Sequence, residues 1–533
     1  MAIQFTEEQL NKFDKETIIQ LFLGQQAQLK SIDTKLQLLL EQVAVSNHHR
    51  FGKSSEKLEV ENQMAFMEVD GQLVCFNEAE AVAASTEYDE DTPANLTRKK
   101  RKGKRAQTIK ELPIVPVRHM MSEEELIAEF GENGWYQLED EIYNRYKYTP
   151  AKIEIEEHHV GVYKSKKDNH FKKASHPGYL LRNSLVSPSL EAAIINAKYV
   201  NAVPLYRQEQ EFGRYGISIT RREMAHWTIL CAERYLSILY DYLHKKLYGY
   251  HVLQADETPV RVTKENRTEG DKHYMWVYRT GKMYRHQPII LYDYQPSRNA
   301  SHPKEFLKEF EGICVTDGYQ VYHTIEKERE NLRIAGCWAH ARRRFDEAVK
   351  ALPKANRKTS LAYRALKQIQ AIYREENKLC DMTSEERLEH RQNKVKPLVD
   401  AYFSWVKTNM GRVPAKSKTH NGFSYSVNQE PYLKVFLEDG DVPIDNNSAE
   451  QSIRGFCIGK KNWVMIDTIA GADSSAIIYS LAETAKANNL KPYDYFEYLL
   501  TEIPKHLDEK DQSFCEDLLP WSDKLPANCR KRP

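Results

Sequence analysis

The sequence predicts an α/β protein: a core of mixed β-sheet with helices on its faces, interrupted by a helical insertion and preceded by a coiled coil and a region of alternating acidic and basic runs. Three observations carry this. Apolar, β-rich stretches and helical stretches from about residue 250 run in the order β-β-β-α-β-α-β-α, which suits a mixed sheet with helices packed on it. A long, highly charged block of helical period occupies 350–410, inside that core. Residues 18–43 repeat apolar side chains in alternating steps of four and three.

Taken in order, the heptad positions are Ile18, Phe22, Gln25, Leu29, Ile32, Leu36, Leu39 and Val43. They fit one long helix that pairs with a copy of itself, or an amphipathic helix packed within its own domain. A short basic stretch, His48–Lys57, follows. Residues 77–97 are acidic and rich in small side chains, as linkers are. Then comes a dense basic run of Arg98, Lys99, Lys100, Arg101, Lys102, Lys104 and Arg105. Such a run is either a solvated tether or a grip on DNA backbone that reads no sequence. Between 112 and 160 the pattern gives a short helix near Ser122–Phe130 and a strand-like Lys152–His158. Residues 188–247 read as helical.

The core elements follow. Tyr250–Gln254 leads as a strand into Asp256, and Tyr274–Arg279 and Pro288–Tyr292 are further strands. Pro303–Phe310 reads as a helix and Gly312–Thr316 as a buried strand ending at Asp317. Leu332–Cys337 is a strand followed by a basic helix. Ala415–Gln429 is polar and loop-like. Asn446–Phe456 reads as a helix capped by Asn446, Asn447 or Ser448. Trp463–Ile466 looks strand-like, and Ser474–Ala487 helical. The tail after Pro504 is polar, without a motif of its own. The expected division is 1–47, 48–111, 112–180, 181–248, a core of 249–345 with 441–490, an insertion of 346–440, and a tail of 491–533.

Composition excludes several classes. Among 533 residues the 77 basic and 76 acidic side chains nearly cancel, so any binding to polyanions must be local, at 98–105 and at Arg342-Arg343-Arg344. No run approaches the ~20 apolar residues of a membrane span. The N-terminal residues lack a basic segment followed by an apolar one, so a cytoplasmic, nucleoid-associated location without membrane contact is expected. The eight cysteines are scattered with no C-x-x-C pair, which argues against a disulfide scaffold and against a cysteine-rich zinc module.

Three carboxylates stand where chemistry is easiest to build. Asp256 and Asp317 each follow an apolar strand, at the sheet end where ligands of open α/β sheets bind. Glu450 falls in the first turns of a helix that could cover them. Clustered carboxylates repel one another unless cations compensate them, and hard oxygen donors suit Mg²⁺ or Mn²⁺. A pair of such ions supports phosphoryl transfer. By residue type alone Glu257, Asp293 and Asp445 compete for the same role. Cys337 and His340 form a C-x-x-H pair, half of a zinc site by spacing. No second pair is evident in the sequence, so a structural or DNA-positioning role is favoured.

The motifs Ala255-Asp-Glu-Thr-Pro-Val260, Thr316-Asp-Gly-Tyr319, Gly336-Cys-Trp-Ala-His-Ala-Arg-Arg-Arg-Phe345 and Asp445-Asn-Asn-Ser-Ala-Glu-Gln-Ser-Ile-Arg454 occur in that order. With Ser187-Pro-Ser-Leu190, Gly459-Lys-Lys-Asn-Trp463 and Tyr479-Ser-Leu-Ala-Glu-Thr-Ala485, they resemble the large transposase of the insertion-sequence-66 family, from about residue 30 to 503. The resemblance implies a ribonuclease-H-like catalytic core, with the triad on Asp256, Asp317 and Glu450. It also implies two Mg²⁺ or Mn²⁺ ions per site and cleavage and joining of double-stranded DNA at element ends and target. Arg342, Arg343, Arg454, Lys460 and Lys461 would contact DNA, with Cys337 and His340 in support. A dimer is expected, with helper proteins of the same element as possible partners.

Relatives usually carry a cysteine-rich zinc module before the core, whereas 112–160 contains no cysteine. The module's shell without its metal, and no bound zinc, is the expectation. An inactive or domesticated DNA-binding relative and a nuclease without strand transfer are the alternatives. A scaffold built on 18–43 would leave the spaced acids unexplained.

Overall fold

The computed structural model describes residues 120–132, 152–164, 170–175, 178–263, 272–509 and 511–531, two short strands at Met67–Val69 and Gln72–Val74, and helical positions 22, 23 and 26. The basic run 98–105 and all but position 22 of the heptad set lie outside the described residues. The described residues up to 178, from 120, belong to one compact unit, and 179–531 to another.

In the first unit Ser122 opens the helix Glu123–Phe130 with a capping box. Its hydroxyl accepts from the Glu125 amide, and the Glu125 carboxylate accepts from the Ser122 amide at 2.8 Å. Val162–Lys164 pairs antiparallel with Phe171–Lys173. The expected strand at Lys152–His158 is not formed. Its alternation offers no face to bury, since Ile155 is 94% exposed, and a strand without a buried face or a paired neighbour has nothing to hold it.

The second unit begins with helices α1 (Pro188–Ile195), α2 (Leu205–Arg214), α3 (Arg221–Cys231) and α4 (Ser237–Leu247). Glu191 of α1 is fully buried. The Thr228 hydroxyl donates to its Oε1 at 2.8 Å, and its Oε2 has no partner. Burial pushes its carboxyl up to about 8. The folded state therefore holds the neutral acid, while the unfolded chain ionises near the ordinary value. The stability this gives is complete below about pH 4.5 and is lost as pH rises towards 8, by up to ~1.4 kcal/mol per pH unit. Glu191→Gln is expected to match the wild type in urea denaturation near pH 4.5. At pH 8 it should exceed the wild type by up to ~4 kcal/mol. Parallel pH profiles would mean that the carboxyl ionises freely.

The five-stranded sheet comprises β1 (Val252–Val260), β2 (His273–Thr280), β3 (Ile290–Gln295), β4 (Gly312–Thr316) and β5 (Leu332–Gly336), in the order β3-β2-β1-β4-β5. β1–β2 and β2–β3 are antiparallel, whereas β1–β4 and β4–β5 are parallel. Both faces are buried. Leu253, Cys314 and Ile334 enter one core, and their neighbours Val252, Val315 and Ala335 enter the other, as the period of two requires. Between β3 and β5 lie α5 (Ser301–Phe306), shorter than the expected Pro303–Phe310 at its C-terminal end, and α6 (Gln320–Lys327).

The second core is completed by α7 (Trp338–Ala351), α8 (Leu361–Glu376), α10 (Lys396–Asn409) and α11 (Lys418–Leu433), with α9 (Ser384–His390) between α8 and α10 burying only Arg387. Trp338, Phe345, Ile369, Tyr402, Phe403, Phe423 and Phe436 fill it. The stretch expected as a loop at 415–429 is largely α11. Its polar residues hide a helical stripe, Thr419, Gly422, Phe423, Ser426 and Leu433, in which small side chains stand in for apolar ones. Ser417 caps it by accepting from the His420 amide at 3.1 Å.

The remaining core helices are α12 (Asn447–Trp463), α13 (Ile469–Ala487) and α14 (Pro492–Glu502). Ser480 and Thr484 of α13 accept from the amides of Tyr292 and Ile290, at 2.7 and 3.0 Å, so the outer edge of β3 is not left unpaired. The expected strand at Trp463–Ile466 reduces to one bridge between Ile466 and Val262, because α12 runs on to Trp463 and Val464 then turns at φ +66°. The tail is less passive than its polarity suggests: Cys515, Leu518 and Leu519 are buried, and Tyr495 of α14 donates to the Leu518 carbonyl at 2.7 Å. Among the described residues no helix is long and apolar enough to cross a membrane.

Candidate active site

β1 runs through the middle of the sheet and carries two adjacent acids. Alternation sends Asp256 to the face of Val252 and Gln254, and Glu257 to the face of Leu253 and Ala255. Asp256 accepts from the Glu257 amide at 2.9 Å. Its carboxyl is pushed well above the usual carboxylate range, first by burial and then by the charges of Glu257, Asp317 and Glu450. The three expected acids are thus brought into one electrostatic neighbourhood from β1, the end of β4 and the start of α12.

Asp317 follows β4 directly. Its Oδ1 accepts from the Tyr319 amide at 2.9 Å, closing a short turn, and Tyr425 of α11 donates to its carbonyl at 3.1 Å. Gly318 completes the turn at φ +88°; a Cβ there would meet the Tyr425 hydroxyl and Gln429 Oε1, both at 3.1 Å. The segment expected as a loop therefore supplies the wall beside Asp317.

Glu450 sits in the first turn of α12, where the positive end of the helix favours a carboxylate. Asn446 precedes this helix but makes no side-chain cap. Its side chain clamps β1 instead: Nδ2 donates to the Ala255 carbonyl at 2.7 Å, and Oδ1 accepts from Gln254 at 3.2 Å. Arg279 of β2 donates to the Ser448 carbonyl at 3.0 Å, and Tyr292 of β3 to the Ser452 carbonyl at 2.6 Å. These contacts fix the start of α12 against the strand that bears Asp256. The sequence marks Asn446 only as a cap, since nothing local distinguishes a cap from a clamp.

Arg343 of α7 donates to Glu450 Oε2 at 2.9 Å, and His340 Nδ1 lies 3.8 Å from Glu450 Oε1. Burial and the Arg343 charge lower the His340 pKa, against the pull of Glu450. The Cys337 sulfur accepts from the Asn446 amide at 3.2 Å; burial pushes its thiol up. Arg344 lies over the Tyr425 ring, 4.3 Å from its centroid.

The competing acids are otherwise engaged. Glu257 pairs with Arg298, whose Nε donates at 2.7 Å and whose guanidinium stacks 3.7 Å from the Tyr319 ring. Burial and the Asp317 charge nonetheless push Glu257 up to about 7. Asp445 accepts from the Asn447 amide at 3.2 Å, and Asp293 from Gln295 at 2.9 Å. Of the expected basic contacts, Arg342 and Arg343 are half-buried on α7, Arg454 and Lys461 are exposed on α12, and Lys460 donates to the Pro259 carbonyl at 2.7 Å.

A profile described as "Transposase IS66 family" matches residues 183–474, more than half the chain and the whole of this site. The chain belongs to the IS66 transposase family. A profile for the "IS66 C-terminal element" matches 480–521, giving the polar tail a family counterpart, and one described as "Transposase C of IS166 homeodomain" matches 38–117. Three similar proteins come from Sinorhizobium fredii strain NBRC 101917 / NGR234. The uncharacterized protein y4qI is 30% identical over 361 residues, 66% of this chain and 65% of its own length. The uncharacterized protein y4jD is 26% identical over 67% of this chain and 70% of its own, and y4hP, also uncharacterized, 25% over 65% and 64%. The match thus spans just under two thirds of the length of y4qI.

Proposed function

We propose that this IS66-family protein is a DNA transposase that cleaves and joins DNA at element ends, with Asp256, Asp317 and Glu450 as its catalytic carboxylates. The convergence of the three acids, with the Asp256 carboxyl pushed up by burial and then by the charges of its acidic neighbours, carries the reading. Such a cluster of hard oxygen donors fits Mg²⁺ or Mn²⁺, two per site in this reading. When bound, the ions would promote attack by a water or hydroxyl oxygen and offset charge on the leaving oxygen. The strand order β3-β2-β1-β4-β5 supports a ribonuclease-H-like core, in which residues 346–440, from the last turns of α7 through α11, form the insertion ahead of the Glu450 helix.

The chain's own residues supply the positioning. Asp256 lies within β1 and Asp317 directly follows β4, in a sheet buried on both faces, so their separation is set by backbone pairing rather than by loops. Asn446 and Gln254 hold Glu450 across from them. Arg343 balances the charge of Glu450 by donating to its Oε2. Arg342, Arg454, Lys460 and Lys461 would hold phosphates around the site, with element-end and target DNA as partners. The homeodomain description of the 38–117 match supports a further DNA contact in that region. A dimer paired through 18–43, helper proteins of the same element, and a zinc-module shell at 112–180 belong to the same reading.

The deciding experiment incubates the full chain with element-end DNA and Mg²⁺. Cleavage followed by joining to target is the expected result. Hydrolysis without joining would make the protein a nuclease, and binding without either would make it an inactive relative. The basic run has its own test. Neutralising three residues of 98–105 should flatten the salt dependence of DNA binding by ~0.9 log units of slope per lost contact, alike for all sequences. An unchanged slope would reduce that run to a tether.

A further inference from the structure

We propose that Cys337, His340 and Glu450 form a binding site for a thiophilic divalent cation of the zinc class, which shares Glu450 with the site assigned to Mg²⁺ or Mn²⁺ and is otherwise distinct from it. The Cys337 sulfur, a His340 ring nitrogen and a Glu450 carboxylate oxygen all lie within 4.8 Å of one another. Donors on one tetrahedral zinc stand ~3.3–3.8 Å apart, so a small contraction closes the set. The His340 Nδ1 to Glu450 Oε1 distance, 3.8 Å, is already there. Both of these atoms are buried without a hydrogen-bond partner. Two facing polar atoms left unsatisfied cost free energy that a cation between them would recover. The Cys337 sulfur accepts from the Asn446 amide, which helps hold a ligating sulfur in place.

The donor chemistry separates this site from its neighbour. A thiolate, an imidazole and a carboxylate select zinc-like ions, whereas Asp256 and Asp317 offer oxygen alone. The thiolate and the carboxylate together balance a double positive charge, and a fourth position is left for water. Arg343 fits beside the ion. It holds the other Glu450 oxygen, Oε2, at 2.9 Å. Its Nη1 lies 3.3 Å from His340 Nε2, a contact that loosens when the ring binds metal through Nδ1 and carries its proton on Nε2. The cation would tie the start of α7 to the start of α12 and fix the Glu450 carboxylate. The expectation of no zinc rests on the missing cysteines of 112–160. The donors here lie elsewhere, and the third is 110 residues beyond His340, beyond the reach of any spacing rule.

Binding can be read without catalysis. Co²⁺ titrated into the metal-free full chain should give a thiolate-to-cobalt charge-transfer band that saturates at one equivalent and is displaced by Zn²⁺. Cys337→Ser should abolish the band, and His340→Ala should weaken Co²⁺ binding at least ~10-fold. His340 is only partly buried, so that variant reports even if Cys337→Ser fails to fold. Asp256→Asn, Asp317→Asn, Cys380→Ser and Cys457→Ser should all retain the band. No band in the wild type, or one that survives both Cys337→Ser and His340→Ala, would overturn the site. Loss of the band in Asp256→Asn would likewise overturn the three-donor site, since Asp256 is not among its ligands. Mg²⁺-dependent cleavage, measured separately, tests the catalytic reading without touching this one.

Discussion

Alanine at Asp256, Asp317 or Glu450 is expected to reduce DNA cleavage by ~10³-fold or more while leaving DNA binding nearly unchanged. Metal-borne charge stabilisation amounts to several kcal/mol, and each ~1.4 kcal/mol is a factor of ten in rate. Removing one ligand from a three-carboxylate set forfeits most of it. Folding gives the control. Burial and like charge hold the Asp256 carboxyl above its usual range, so the metal-free protein gains nothing from that acid. Asp256→Ala should therefore melt no lower than the wild type, and lost cleavage cannot be charged to lost structure. Asp293→Asn tests specificity: this acid is equally buried but bonds to Gln295, and its variant should cleave normally. Near-normal cleavage by any of the three alanine variants would remove that residue from the site.

Much of the fold is legible in the sequence because it is periodic. The five strands are short apolar runs that overlap their expected places, although β1 does not stop at Gln254 but runs through Asp256 to Val260, held there by its pairing with β2. Asp256 and Asp317 can be read from the strands that deliver them. What cannot be read depends on tertiary partners. The helix α11 looks like a loop because Thr, Gly and Ser take three of the five places in its buried stripe, and only packing against Phe345 and Trp405 makes that stripe a buried face. Lys152–His158 has the alternation of a strand but no face to bury. Asn446 reads as a cap because its role as a clamp needs β1 beside it. Glu257 and Asp256 are chemically equivalent in sequence; the pleat puts them on opposite faces, and Arg298 takes one of them.

The helical block matters to the site through one buried ion pair, and breaking that pair should destabilise the fold strongly. Arg391 is fully buried. Its Nε and Nη2 meet both oxygens of Glu376 of α8, at 3.0 and 2.8 Å, and its Nη1 donates to the carbonyls of Phe436 and Asp439, at 2.8 and 2.7 Å. The fork thus fastens α8 to the segment that leads, through Asp445 and Asn446, to Glu450. Asp439 continues the chain of contacts to His251, just before β1, at 2.6 Å. Glu376→Ala leaves a guanidinium in the core without its counter-charge, which typically costs ~3–5 kcal/mol. Glu376→Gln keeps an accepting oxygen but not the charge and should fall between the two. In denaturant unfolding the midpoints should rank wild type, Glu376→Gln, Glu376→Ala. Because the tether ends near Glu450, cleavage should fall in the same order even under conditions where all three proteins remain folded. A Glu376→Ala variant within ~1 kcal/mol of the wild type would mean that water reaches Arg391 and the tether is not closed.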